Sequence, residues 1–433
     1  MTKQLTDVFG VTVKPVLSYY ERPAIDGLFQ EALKSDKHIV VYGASKQGKT
    51  ALVTRYLPPS QCIVVRLSPA STPLDIYQSI LRKANVTVEI AKTRGTSKEL
   101  SGSLSTRGVA KYIFGEWNGG FEASAKSASQ ETTDVRTMSV NLALPEDVSD
   151  LLKATGYKGH VVLENFHYLS EATQRLLAVD LRTFQDTEVR FAILGVWRQK
   201  DKLRVYCPDL TDRVIDVAVE PWTEQDFRHV AQAGADHLKV SLTNELLQGC
   251  VENSYGSIGV FQELIKHVCL AAGLDKEQRE LTIIDNSSFL SKAIEIKAQE
   301  YGVTHRQALE LIASGNITFS KNKPRVPLFL PYYLVKAIIE TGPEKLRNGI
   351  DKSEVIEAIK RSHHRADDVR PTDINNLLDK LGRLQQKKGI SPPLIEYDKG
   401  RRRLYAVDST LFFFLEHCDA ADLVSEIPSP LAD

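Results

Sequence analysis

Apolar residues follow two rhythms along this chain. In its first half they form short runs, Ile39-Val40-Val41-Tyr42 and the stretches 62–67, 159–165 and 189–196. Runs of this length fit strands covered on both faces, whose two sides are equally apolar. Between them lie stretches of helical spacing: Ile25, Leu28, Phe29 and Leu33, then Leu74, Ile76, Ile80 and Leu81. Residues 210–222 read as a short helix and a fifth strand. Strands alternating with helices predict an α/β fold built on a mostly parallel sheet.

From Thr223 the rhythm is helical. Thr223-Glu224-Gln225-Asp226 has the pattern of a capping box. Leu246, Leu247, Cys250 and Val251 share one helix face, and Val260, Phe261, Leu264, Ile265 and Val268 another, with Gly273 as a stop. The long helical stretch 287–313 reads as a linker. In the last hundred residues three helices are marked by Leu334, Ala337 and Ile338, by Val355, Ile356 and Ile359, and by Ile374, Leu377, Leu378, Leu381 and Leu384. Alternation at 394–397 and 404–407, around Asp398-Lys399-Gly400-Arg401, predicts a hairpin. Helix, helix, helix, hairpin is the order of a winged helix. Residues 86–144 break the pattern. They are rich in Ser, Thr, Gly and Lys, carry a turn signal at Trp117-Asn118-Gly119-Gly120-Phe121, and read as an insertion. It is either a mobile loop or a partner contact.

One stretch turns the reading from fold to chemistry. The first strand runs into Gly43-Ala44-Ser45-Lys46-Gln47-Gly48-Lys49-Thr50-Ala51, a G-x-x-x-x-G-K-[ST] phosphate loop between a strand and a helix. Gly43 and Gly48 let backbone N–H groups turn onto a phosphate, Lys49 reaches the β- and γ-phosphates, and the Thr50 hydroxyl suits Mg²⁺. The helix that follows aims its positive end at the anion. ATP and Mg²⁺ are the ligands expected. The run at 159–165 ends in Glu164-Asn165, where a Walker B strand places an acid that orients Mg²⁺ and a second that polarises water. Glu164 can serve the metal through a water. Asn165 cannot accept a proton, so hydrolysis is expected to be slow. His167 is either a substitute base or structural. The divisions expected are a P-loop ATPase core at 1–220 (insertion 86–144), a helical lid at 221–285, a helical linker at 286–325 and a winged-helix domain at 326–433.

Composition narrows the partners. The 433 residues hold 55 Lys plus Arg and 55 Asp plus Glu, so no global field favours nucleic acid and any such surface is local. Lys399, Arg401, Arg402 and Arg403 on the hairpin, with Lys380, Arg383, Lys387 and Lys388 on the third helix, form one. It serves duplex DNA, or it is a solvated face on a unit that docks a protein partner. Five scattered cysteines without C-x-x-C read as reduced thiols. The start shows no apolar signal region, and 411–415 is too short to span a bilayer, so the expectation is a cytoplasmic protein with no membrane partner. No N-K-x-D motif supports GTP, no acceptor constellation supports a small-molecule kinase, and neither a zinc site nor a Ser/His/Asp set is discernible. His363-His364 reads as a solvated pair.

The order of these parts resembles the STAND/AAA+ ATPases, in the branch that includes origin-recognition and transposition-regulator ATPases. Beyond the phosphate loop and Glu164-Asn165, the resemblance rests on Asp212-Arg213 before the fifth strand and on Pro221-Trp222 followed by Asn253-Ser254-Tyr255-Gly256-Ser257-Ile258-Gly259. It implies that Arg213 is an arginine finger offered to a neighbouring subunit, the alternative being a salt bridge with Asp209 or Asp212. It implies that Arg22, after Tyr19-Tyr20-Glu21, lies beside the adenine, the alternative being a docking helix. It implies a homo-oligomer and, for bacterial relatives, signalling or defence roles. Three departures stand out: Asn165, a fourth strand whose polar sensor is missing or moved to Arg198, and Gly259 where the lid usually offers an arginine. Two functions follow. One is an ATP-driven switch with slow hydrolysis that controls assembly or DNA engagement. The other is an ATP-stabilised scaffold whose last domain recruits a protein.

Overall fold

A computed structural model of the chain describes residues 2–12, 14–90, 108–114, 134–315 and 326–431, with the backbone alone at 87–90, 108–114 and 134–140. Its centre is a five-stranded parallel sheet. The strands are β1 (His38–Gly43), β2 (Ile63–Arg66), β3 (His160–Glu164), β4 (Arg190–Val196) and β5 (Val214–Ala218), in the spatial order β2-β3-β4-β1-β5. Alternation along each strand sorts side chains to two faces. Val40, Tyr42, Val161, Leu163, Phe191 and Ile193 enter one apolar cluster. Ile39, Val41, Val162, Ala192 and Leu194 enter the other. Both faces are buried, which is why the sequence shows unbroken runs rather than alternation. In register, Tyr42 lies beside Gly195 on one side and Ala218 on the other, so the carboxyl ends of β1, β4 and β5 form one rim.

The insertion holds three antiparallel strands, Val86–Ile90, Gly108–Phe114 and Asp134–Val140. Its turn signal at 117–121 lies outside the described residues.

Beyond β5 the chain forms the helices Glu224–Leu238, Asn244–Glu252 and Ile258–Ala271. The first opens with the Thr223–Asp226 capping box. The second and third are capped by the Thr243 and Ser257 hydroxyls. The helix Ser288–Ala313 does not behave as a free linker. Ala293, Lys297, Tyr301, His305, Leu309 and Ile312 form a buried stripe at four- and three-residue spacing. That stripe belongs to a third apolar cluster, which runs from Leu5, Val8 and Phe9 through the helices after β5 to Phe412 and Leu423.

In the C-terminal unit the helices Leu330–Thr341, Lys352–Ser362 and Pro371–Lys387 surround an antiparallel sheet of Ile350–Asp351, Arg403–Ala406 and Ile395–Asp398, in that spatial order. Gln385 is fully buried and ties the third helix to the hairpin. Its amide N–H donates to the Ile395 carbonyl at 2.7 Å, and its oxygen accepts from Leu394 N–H at 2.8 Å and Ile395 N–H at 3.1 Å. The apolar run at 411–415 is the middle of a helix, Ser409–Glu416, buried on all sides, as a helix apolar all round must be. Of the pair read as solvated, His363 is buried and His364 is exposed. The rings stack on each other and on Tyr333, His363 Nε2 bonds the Leu328 carbonyl at 2.7 Å, and burial lowers both pKa values.

Candidate functional site: a phosphate loop under a C-terminal seat

The sharp turn after β1 depends on two glycines. Gly43 has φ +152° and Gly48 has φ +83°. A Cβ on Gly43 would stand 2.7 Å from Val219 Cγ2, so only glycine fits. Gly48 is the N-cap of the helix Lys49–Tyr56, and no side chain caps that helix. Its first N–H groups therefore lack an internal acceptor. Gly48, Lys49, Thr50 and Ala51 line a cavity of about 300 Å³. Lys49 is buried and its Nζ donates to the carbonyls of Gly43 at 3.0 Å and Ala44 at 2.5 Å. Among the described residues no carboxylate forms an ion pair with it. Burial pushes its pKa down to about 8, against a smaller opposing pull from Glu220 and Asp408. An uncapped helix terminus and an ammonium without a counterion suit a phosphate chain.

The far wall of the cavity is built by parts the sequence did not announce. Residues of the N-terminal segment, Gly10 to Thr12 and Lys14 to Val16 among them, line it together with Trp222 and Gln262. Trp222 Nε1–H is buried without a hydrogen-bond partner among the described residues, a donor left for a ligand or water. Arg22 lines the cavity, but its guanidinium is committed. It stacks 3.6 Å from the Trp222 ring and donates to the Val219 carbonyl at 2.9 Å. It shapes the wall instead of reaching out from it.

At the end of β3, Glu164 lines the same cavity, and its Oε2 accepts from Arg66 Nε at 2.9 Å. Asn165 follows with φ +63°. Asn and Asp tolerate this left-handed conformation better than other side-chain-bearing residues, which gives a backbone reason for asparagine where an acid was expected. The turn Phe166–Tyr168 then aims His167 at the rim. His167 Nδ1 accepts the Val196 N–H at 3.3 Å, and burial, helped by the charges of Lys49 and Lys202, lowers its pKa to about 3. Thr50 and Glu164 are both on the cavity wall and suit Mg²⁺ bound through phosphate oxygens and water. Among the described residues no group of three His, Cys, Asp or Glu forms a metal cage.

Two expected residues, Arg198 and Arg213, lie elsewhere, while Gly259 lines the cavity. Arg198 leaves the cavity: it pairs with Glu220 at 3.4 Å, and its backbone N–H meets Glu396 of the C-terminal hairpin at 3.4 Å. The fourth-strand sensor has therefore not moved there. Arg213 precedes β5 at the amino ends of the strands, where its carbonyl accepts from His38 N–H. That is the opposite rim of the sheet, so it does not approach the cavity of its own chain. Its partners are Asp186 at 2.5 Å and Gln185 at 3.2 Å, while Asp209 pairs with Arg182. Gly259 has a packing reason. Its N–H donates to the Lys46 carbonyl at 3.0 Å, and a Cβ there would stand 2.5 Å from Lys46 Cβ.

The outer side of the phosphate loop carries the C-terminal unit. Ser45 N–H donates to the Val407 carbonyl at 3.0 Å, and the Ser409 hydroxyl donates to the Ser45 carbonyl at 2.9 Å. Gln386 of the third helix donates to the Tyr168 carbonyl at 3.2 Å, and Lys202 pairs with Glu396 at 2.7 Å. Of the hairpin cations, Lys399 pairs with Asp379 at 3.2 Å and Arg403 with Asp351 at 3.0 Å. Arg401 and Arg402 are exposed.

No protein-family model matches this chain, and no curated protein matches it by sequence. Solved structures do match. The Walker-type ATPase paby2304 of Pyrococcus abyssi is similar with a TM-score of 0.51 at 12% identity, over 94% of this chain and 99% of that one. ORC1 of Aeropyrum pernix, solved in complex with DNA, is matched at TM-score 0.40 and 14% identity over 98% of this chain and 94% of that one. Cdc6p of Pyrobaculum aerophilum is matched at 0.38 and 13%, over 93% and 92%. With the parallel sheet and the loop after β1, the first of these is a likeness of fold: the chain has the α/β fold of the P-loop ATPases.

Proposed function

We propose that the protein is an ATP-binding regulatory ATPase of the AAA+/STAND type that hydrolyses slowly and uses the nucleotide to control assembly. The observation that carries this is the cavity where an uncapped helix terminus and unpaired Lys49 meet Thr50 and Glu164. In this reading the N–H groups of Gly48 to Ala51 and the Lys49 ammonium hold the phosphates. Thr50 and Glu164 hold Mg²⁺, which when bound neutralises phosphate charge. Asn165 orients water without removing its proton, so turnover is limited by the absent base. Arg213 serves a neighbouring subunit's nucleotide in a homo-oligomer. The C-terminal unit, a winged helix in this reading, is an ATP-responsive module because its 407–409 segment grips the phosphate loop.

A second reading, an ATP-stabilised scaffold with incidental hydrolysis, is favoured by one observation: two of the four hairpin cations are already paired with acids. Turnover at saturating ATP, measured with and without duplex DNA, separates the two. DNA stimulation supports the switch, and a flat, near-zero rate supports the scaffold. Asn165→Asp keeps the left-handed residue type and adds an acceptor, so turnover should rise. Asn165→Glu should gain less, because its backbone strain is about 1 kcal/mol or more. A folded Asn165→Asp variant with unchanged turnover would remove residue 165 from the water-activating position.

A further inference from the structure

The end of β4 presents Val196, with no polar side chain, to the place where a terminal phosphate would lie. The neighbouring turn supplies one. Asn165 reverses the chain in the left-handed conformation, the Tyr168 N–H closes the turn on the Asn165 carbonyl, and Phe166 is buried edge-on against Trp197 at 6.1 Å. These contacts hold His167 against the end of β4, where Nδ1 accepts the Val196 N–H at 3.3 Å. A ring nitrogen that accepts an N–H carries no proton, so the neutral ring carries its proton on Nε2. That Nε2 has no hydrogen-bond partner among the described residues, and His167 stands between the cavity of Lys49, Thr50 and Glu164 and a second one lined by Lys202, Tyr206 and Gln386.

We propose that His167 is the N–H donor that reads the terminal phosphate of ATP, taking the place of the sensor missing from the end of β4. The inference rests on the ATP-site reading above and deepens it. It also removes His167 as the substitute base: its free nitrogen lone pair is spent on the Val196 amide, and its other nitrogen already bears a proton.

A donor to the third phosphate makes a difference between nucleotides that a packing residue does not. Calorimetry with Mg²⁺ and either ATPγS or ADP, on wild type, His167→Ala, His167→Gln and Lys49→Ala, tests it. Wild type should prefer ATPγS by about tenfold or more, the size of one charge-assisted hydrogen bond. His167→Ala should bind ADP as wild type does and lose the preference. His167→Gln, whose amide N–H can reach outward in the same direction, should keep most of it. Ring-nitrogen NMR should find Nδ1 unprotonated and the Nε2–H signal shifted by ATPγS and not by ADP, and this holds as a test even where His167→Ala fails to fold. A preference that survives in His167→Ala overturns the proposal, as does equal weakening of both nucleotides. Lost turnover with intact discrimination would restore the base. Failure of the underlying site looks different: Lys49→Ala would then bind both nucleotides like wild type.

Discussion

Two turns of this protein follow strands and are rich in glycine and positive charge, yet they are opposite in what they hold. In the hairpin turn, Asp398 Oδ1 accepts the N–H groups of Gly400 at 2.8 Å and Arg401 at 3.0 Å. The turn carries its own anion, and two of its cations carry theirs, Asp379 and Asp351. In the phosphate loop Glu220 Oε2 accepts the Ala44 N–H at 2.5 Å, but among the described residues no side chain caps the helix that follows, and Lys49 Nζ bonds only carbonyls. The first turn has its N–H groups and two of its cations matched from within. The second is complete only with an anion. Charge composition alone does not separate a binding loop from a structural one. What separates them is whether the chain supplies the counter-group.

The sharpest way to break this comparison is Lys49→Ala. If the loop awaits a phosphate chain, the variant should fold and lose ATP affinity by about 100-fold or more, since two charge-assisted contacts go at once. Unchanged calorimetry in a folded variant would make the loop as inert as the hairpin. A second test uses pH. Burial in the loop holds Lys49 at about 8, so the ammonium is largely present at pH 7 and largely lost at pH 9. A bound phosphate restores the charge, so binding above pH 8 must take up a proton, and affinity should fall roughly tenfold between pH 7 and 9. Calorimetry in two buffers of different ionisation enthalpy reads the proton directly. No uptake at pH 9 would deny Lys49 its place.

Gly259→Ala probes the packing that shapes the loop. Its Cβ would press on Lys46 Cβ at 2.5 Å and on the Lys46 carbonyl oxygen at 2.8 Å. Stability should fall by about 1–3 kcal/mol, seen as a lower Tm that ATP partly restores. A neutral substitution would mean that the helix terminus and loop do not touch. The smallest effect belongs to the hairpin. Arg401→Ala with Arg402→Ala removes the two cations without acid partners. If they meet DNA phosphates, binding measured by anisotropy should weaken, and the log–log salt slope should flatten by about two units. Unaltered binding would leave the hairpin a structural turn.

The sequence by itself determined the α/β class, the five strands of the sheet and the phosphate loop, because each is local: run length, two glycines and G-x-x-x-x-G-K-T suffice. Spacing also marked three helices of the C-terminal unit, but not Pro343–Asn348, Ser409–Glu416 or Ala420–Glu426. Only the tertiary structure decided the rest. Trp222, Gln262 and the residues around Val11 share a cavity through contacts hundreds of residues apart in the chain, and no local pattern encodes such a meeting. Gly259 read as a missing arginine until its N–H was found on the Lys46 carbonyl, and Asn165 as a missing acid until its φ of +63° gave the backbone a reason for it. Arg198, Arg213 and His167 all looked available in the sequence. Which of them faces the cavity depends on where Glu220, Asp186 and the Val196 amide lie in space, because a polar side chain settles on the nearest partner that compensates its lost hydration.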